Sequence, residues 1–267
     1  MTCSVSLSAE AKTPPKLLVQ TDFENSSAQG LYQTLVRHRY LDVVDKKGVG
    51  DSKALRAKYE GYDRGSQRIV TRHALPEKIS EATLAYDVMF DKDFQFVKGG
   101  KMHGLGPDHS ITGGKSMTPD GWSARIMWHA RGLLNSYVYS QNKRGQYGEQ
   151  ARLRRPCYLK KGRYYAISIY VKVNDPVGAA NGRMLVFVNG KLAVRHEGIQ
   201  YRKVGGDQTL ISHVLFSTFH GGHSPDWAPK DRRGGFATVY AYYDNFAVFK
   251  GAHVRKKPGM DKDAQDD

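Results

Sequence analysis

Two cysteines, Cys3 and Cys157, are all that the 267 residues contain. A disulfide scaffold needs more, and a zinc site needs ligands at closer spacing. A single Cys3–Cys157 bridge and a free, buried Cys157 both fit. Long apolar runs are also missing: none approaches the roughly 20 residues that span a bilayer, so no membrane partner is expected. The first residues, MTCSVSLSAEAKTPPK, are too polar and too short for an intact signal peptide. Acidic residues are the minority, 26 against 41 Lys+Arg, which leaves a net charge of +15. Such an excess attracts polyanions in a salt-sensitive way; on charge alone nucleic acid, anionic membrane and acidic polysaccharide all qualify. The carboxylates present are poorly placed for glycoside hydrolysis, which requires two acids facing the scissile bond, because Glu149 and Glu197 stand isolated. Nucleic-acid recognition lacks its usual signatures too: no zinc ligands, no helical reading head and no aromatic-rich strand motif of the single-strand RNA modules.

Helical periodicity is scarce. Residues 27–38 and 52–59 are expected to form short helices, the first weakened by Gly30. Most other patterned segments are β-branched and aromatic with a period of two: residues 82–90, 122–129, 134–140, 164–173, 211–219 and 236–249. Asn189-Gly190 between two alternating runs predicts a tight type I′ hairpin. Many strands with Gly-rich turns and no βαβ alternation predict an all-β fold, an antiparallel β-sandwich with a concave cleft. The expected organisation is an N-terminal arm over 1–16, one sandwich domain over 17–254 and a disordered charged tail over 255–267. Asp244-Asn245 reads as a turn at a sheet edge.

Chemistry concentrates between Gly99 and Tyr139. Lys101 follows a Gly-Gly pair, which leaves little bulk between backbone and ligand. Ser123 and Arg125 are two apart in one alternating run, and Tyr137 and Tyr139 are two apart in the next. Each pair therefore faces one side of its own strand. If the strands are neighbours, a hydroxyl, two cations and two phenols converge on one patch. That set suits cleavage of a 4-linked uronic acid by elimination. A cation against the carboxylate stabilises the enolate-like charge, a base removes the C5 proton, and an acid protonates the leaving oxygen. Adjacent cations favour a tyrosinate, whose unperturbed pKa is about 10.

With GGK, then GWSAR, then Y-V-Y, residues 99–139 resemble polysaccharide lyase family 14, the β-jelly-roll alginate and glucuronan lyases. The later pieces VNGK, FSTFHGG and YDNF resemble the second half of such sandwiches. The resemblance implies β-elimination on a 4-linked uronic-acid polymer such as alginate or polyglucuronate, at a cleft lined by Lys101, Ser123, Arg125, Tyr137 and Tyr139. In the preferred scheme Arg125 and Lys101 face the carboxylate. Tyr137 moves the protons with Tyr139 in support, and Ser123 contacts substrate or orients Arg125. Lys101 as the base remains open. A polymeric substrate, which cannot cross membranes, implies a secreted enzyme, and a monomer is expected.

Further substrate contacts are expected from His103, close behind Lys101, from Trp122 stacking on a sugar, and from His213 or His220. The histidines of FHGGH have no carboxylate or cysteine at ligand spacing, so neither metal nor cofactor is expected. Basic residues beyond the tyrosines (Lys143, Arg144, Arg152, Arg154, Arg155) bear on polymer preference. The alternative reading is a non-catalytic carbohydrate-binding module or lectin for acidic polysaccharides on the same sandwich.

Overall fold

A computed structural model describes residues 15–27 and 29–260. Its strands are β1 (Leu17–Thr21), β2 (Leu41–Val44), β3 (Ala54–Tyr62), β4 (Gly65–Ser66), β5 (Ile69–Ile79), β6 (Glu81–Phe90) and β7 (Gly99–Gly106). Then follow β8 (Ser123–His129), β9 (Leu134–Tyr139), β10 (Tyr165–Lys172), β11 (Gly182–Val188), β12 (Lys191–Ile199), β13 (Ile211–His220) and β14 (Thr238–Lys250). One short helix, α1 (Gly30–Val36), lies between β1 and β2.

The strands form two antiparallel sheets stacked as a jelly-roll sandwich. The larger runs β12-β11-β10-β6-β14-β3-β2, with β1 on β14 and β4 on β3; the smaller runs β5-β13-β7-β8-β9. Between them lies one apolar core. Tyr243 and Phe246 of the large sheet meet Phe216 of the small one, and Tyr59 and Phe90 meet Trp128, all fully or almost fully buried. The hairpin between β11 and β12 turns at Asn189 and Gly190, both with positive φ (48° and 77°), as a type I′ turn requires.

Three expectations change. Residues 52–59 are not helical: β3 buries Leu55, Ala57 and Tyr59 at two-residue spacing and pairs with β14. Helix-favouring Ala, Leu, Lys and Arg are overridden there by sheet pairing. Asp244 and Asn245 lie within β14, inside the large sheet and not at its edge; a register irregularity between Asp244 and Ala247 and a φ of 51° at Asn245 mark a bulge. The segment after residue 254 begins as part of the fold. Arg255 is 1% exposed and its Nη1 donates to the Asn245 carbonyl at 2.9 Å and reaches Asp87 Oδ1 at 3.4 Å, while Gly259 N donates to Asp87 at 2.8 Å. A buried Asp87 on β6 needs donors, and this segment supplies them. The remainder of the expected tail, most of the arm, and Cys3 lie outside the described residues. Cys157 is half-buried.

Candidate active site

The small sheet builds the site from β7, β8 and β9. Glycine explains how closely β7 lies between its neighbours. A Cβ on Gly100 would stand 2.0 Å from the Trp128 ring, and one on Gly104 would stand 1.9 Å from the Ala124 carbonyl oxygen. Lys101 follows, paired with Met127 on β8 and Phe219 on β13. Between β8 and β9 the register is Ser123 to Tyr139, Arg125 to Tyr137 and Met127 to Asn135. Directly opposed residues share a face. Lys101, Arg125, Met127, Tyr137 and Tyr139 therefore stand together on the side of the sheet away from the core.

Two connecting segments wall this patch. Ser123 Oγ donates to the Ile111 carbonyl at 2.7 Å, and Gly114 N donates to the Tyr139 hydroxyl at 2.8 Å. These bonds hold the segment 107–121 against the strands. From the other side Gly148 approaches so closely that a Cβ would lie 3.0 Å from the Tyr139 ring and 3.2 Å from the Tyr137 ring. Ile111, Met127 and the two tyrosines form a small apolar cluster of their own.

Electrostatically the patch is cationic and uncompensated. The Arg125 guanidinium is 5% exposed, touches Ser217 Oγ at 3.3 Å, lies 5.6 Å from the centre of the Tyr137 ring and leaves Nε without a partner. Among the described residues no carboxylate pairs with it. Burial pulls its pKa down. Lys101 Nζ sits 3.4 Å from the centre of the Tyr137 ring and 3.8 Å from Met127 Sδ. Burial, then the charges of Arg125 and Arg68, bring its pKa down to about 7. The Tyr137 and Tyr139 hydroxyls are 3.5 Å apart, and burial with that contact holds the Tyr137 phenol well above its ordinary pKa. The arrangement thus offers an amine that is partly deprotonated near neutrality, a protonated phenol and a buried cation with no anion among the described residues.

Of the five residues expected in the cleft, Lys101, Arg125, Tyr137 and Tyr139 converge. Ser123 is on the same face, but its hydroxyl is engaged by the loop. The other expected contacts are corrected. His103 is fully buried in the core, stacked 4.0 Å from Phe216, with a pKa lowered by burial to about 3. Trp122 is fully buried and donates Nε1 to the Thr209 carbonyl at 2.9 Å. His220 is buried against Phe94 and Trp128, its Nε2 2.6 Å from the Gln95 carbonyl. None of these three can touch a chain lying on the outer face. His213 stands at the far end of β13 from Phe219, 3.7 Å from Asp108. Met127, Asn135, Ser217 and Arg68 belong to the neighbourhood and were not anticipated. Met127 and Asn135 continue the alternation of Arg125 and Tyr137, whereas Ser217 and Arg68 arrive through long-range pairing that leaves no local signal.

Solved structures of several polysaccharide lyases share this sandwich. A variant of alginate lyase Aly36B, with a lysine and a tyrosine replaced by alanine and an alginate tetrasaccharide bound, matches with a TM-score of 0.68 at 21% identity, covering 90% of this chain and 99% of that one. The marine PL-14 alginate lyase from Aplysia kurodai matches with a TM-score of 0.67 at 21% identity, over 88% and 99% of the two chains. Endo-β-1,4-glucuronan lyase from the fungus Trichoderma reesei matches with a TM-score of 0.61 at 14% identity, over 91% and 99%. No curated protein sequence matches significantly. The family model described as polysaccharide lyase 14 matches residues 51–246, so the chain belongs to polysaccharide lyase family 14.

Proposed function

We propose that this polysaccharide lyase cleaves a 4-linked uronic-acid polymer, alginate or polyglucuronate, by β-elimination. The observation that carries the reading is the buried Arg125 guanidinium, which pairs with no carboxylate among the described residues. A lone buried charge is costly, and a uronate carboxylate would complete it. The neighbouring groups fit the remaining steps. Lys101, with its pKa lowered to about 7, is free amine for much of the time near neutrality and accepts the C5 proton. The electron pair of the C5–H bond forms the C4–C5 double bond as the C4–O bond breaks. Tyr137, held protonated, gives its proton to the departing oxygen, and Tyr139 orients it. This reverses the expectation that Tyr137 is the base, because burial raises the phenol and lowers the amine. Arg125, bound to the substrate carboxylate, stabilises the negative charge that develops on it. Alginate and glucuronan lyases among the structures of this fold support a uronate substrate. The enzyme works outside the cell, where such polymers are found, and as a monomer.

The test is incubation with polymannuronate, polyguluronate, polyglucuronate and hyaluronan separately, following the ultraviolet absorbance of the unsaturated uronate. A rise with one of them establishes elimination and names the sugar. No rise with any, across a range of pH, overturns the proposal in favour of the binding module.

A further inference from the structure

β9 is the edge strand of the small sheet, and its free side is covered by the segment 149–159. Val138 and Glu149 exchange backbone hydrogen bonds at 2.7 and 2.9 Å, Ala151 N donates to Ser136 Oγ at 2.9 Å, and Leu134 N donates to the Cys157 carbonyl at 2.9 Å. Such cover protects a sheet edge from pairing with other chains. Here it also displays charge. Leu153 turns inward onto the core, and Arg152, Arg154 and Arg155 are exposed around it. Arg131, in the turn between β8 and β9, lies 5.8 Å from the centre of the Tyr158 ring, itself 42% exposed. None of these four arginines forms an ion pair among the described residues.

The strip is continuous with the site. His129 follows Arg125 and Met127 on the same face of β8, and its Nε2 contacts Gln150 Oε1 at 2.7 Å. Asn135, beside Met127, donates to the same oxygen at 3.3 Å. Gln150 begins the stretch that carries the arginines. Met127 stands between Lys101 and these polar groups, which lead from the edge of the site to the basic strip.

Resting on the proposed function, we infer that Arg131, Arg152, Arg154, Arg155 and Tyr158 form an accessory track for the acidic polysaccharide outside the cleavage site. Guanidinium groups would meet successive carboxylates of the chain, and the Tyr158 ring offers an apolar face to a sugar. The track then favours long chains over short ones and gives binding much of its salt dependence.

The test compares wild type with R152E/R154E/R155E and with Tyr158→Ala. KM is measured on long polyuronate and on a tetrasaccharide at low and moderate salt. Direct binding is measured with fluorescent polyuronate in the Tyr137→Phe background. The expected result for the triple variant is a KM for long polymer raised about tenfold, an unchanged tetrasaccharide KM and a flatter salt dependence, with an unaltered melting temperature. Tyr158→Ala shifts the long-polymer KM in the same direction. Equal losses on both substrates, or no loss on the polymer, overturn the track. If the protein lyses no polyuronate, binding still decides: identical affinities of Tyr137→Phe with and without the triple substitution overturn the inference independently. Binding of a DNA oligonucleotide at least as tight as polyuronate also overturns it, by making the strip a nucleic-acid surface.

Discussion

The ammonium of Lys101 lies 3.4 Å from the centre of the Tyr137 ring. When Lys101 is protonated the ring's quadrupole holds it over the aromatic face, and in either form the two groups pack on one another before any substrate arrives. The pairing is set by register: Lys101 opposes Met127, and Met127 is two residues from Arg125, the partner of Tyr137. Three adjacent strands therefore hold the candidate base, acid and carboxylate-binding group with little freedom to drift, which is how a positioned site lowers a barrier.

Replacing Tyr137 by Phe removes one hydroxyl and keeps the ring that Lys101 packs on. The kcat is expected to fall by about 10²–10⁴, with polymer affinity and melting temperature nearly unchanged. Steady-state kinetics and a binding isotherm check this. Near-normal turnover would remove Tyr137 from the proton transfers.

Arg125→Met exchanges a buried, uncompensated charge for an apolar side chain of similar length. The melting temperature is expected to rise, because a lone buried cation is costly, while kcat/KM falls by about 10²–10³. Loss of activity and gain of stability together mark a group held for its ligand. A drop in melting temperature would show that the guanidinium already serves the fold.

Lys101 gives a pH signature with a definite sign. Its folded pKa of about 7 lies below the ordinary 10.5. Between those values the unfolded chain binds the proton and the folded chain does not. Folding stability contributed through this group therefore rises with pH across that window and is lowest below it. Activity is likewise expected to rise through about pH 7 as the amine is freed. Lys101→Met should flatten the stability profile across the window; an unchanged profile in chemical denaturation would refute the assignment.

Gly104→Ala tests the packing of β7. The added methyl would stand 1.9 Å from a backbone carbonyl that cannot rotate aside. A loss of about 1–3 kcal/mol is expected, read as a lower melting temperature together with weaker activity, since Lys101 shares the strand.

Much of the patch was legible from alternation alone. The pairs Ser123/Arg125 and Tyr137/Tyr139 sit on strands whose period of two is unbroken, and one short turn makes those strands neighbours. The same rule accounts for the failure of the Trp122 expectation, since Trp122 alternates with Ser123 and so faces the core, and it separates His220 from His213. His103 was beyond such reasoning. It shares parity with Lys101, yet a register irregularity between Lys101 and Gly104 carries it to the other side of the sheet. Bulges leave no dependable mark in sequence. Nor does the partnership of Arg125 with Ser217, which depends on β13 returning beside β7 from more than a hundred positions away.

β14 bonds to β1, β3 and β6, and so joins the two halves of the large sheet. Every strand that carries the site emerges from the ribosome before it. The hairpin of β8 and β9 can form early, but the sheet that backs it stays divided until β14 has been translated. The nascent chain must therefore hold the apolar face of that sheet exposed until β14 emerges, and the cleft gains its full backing only then.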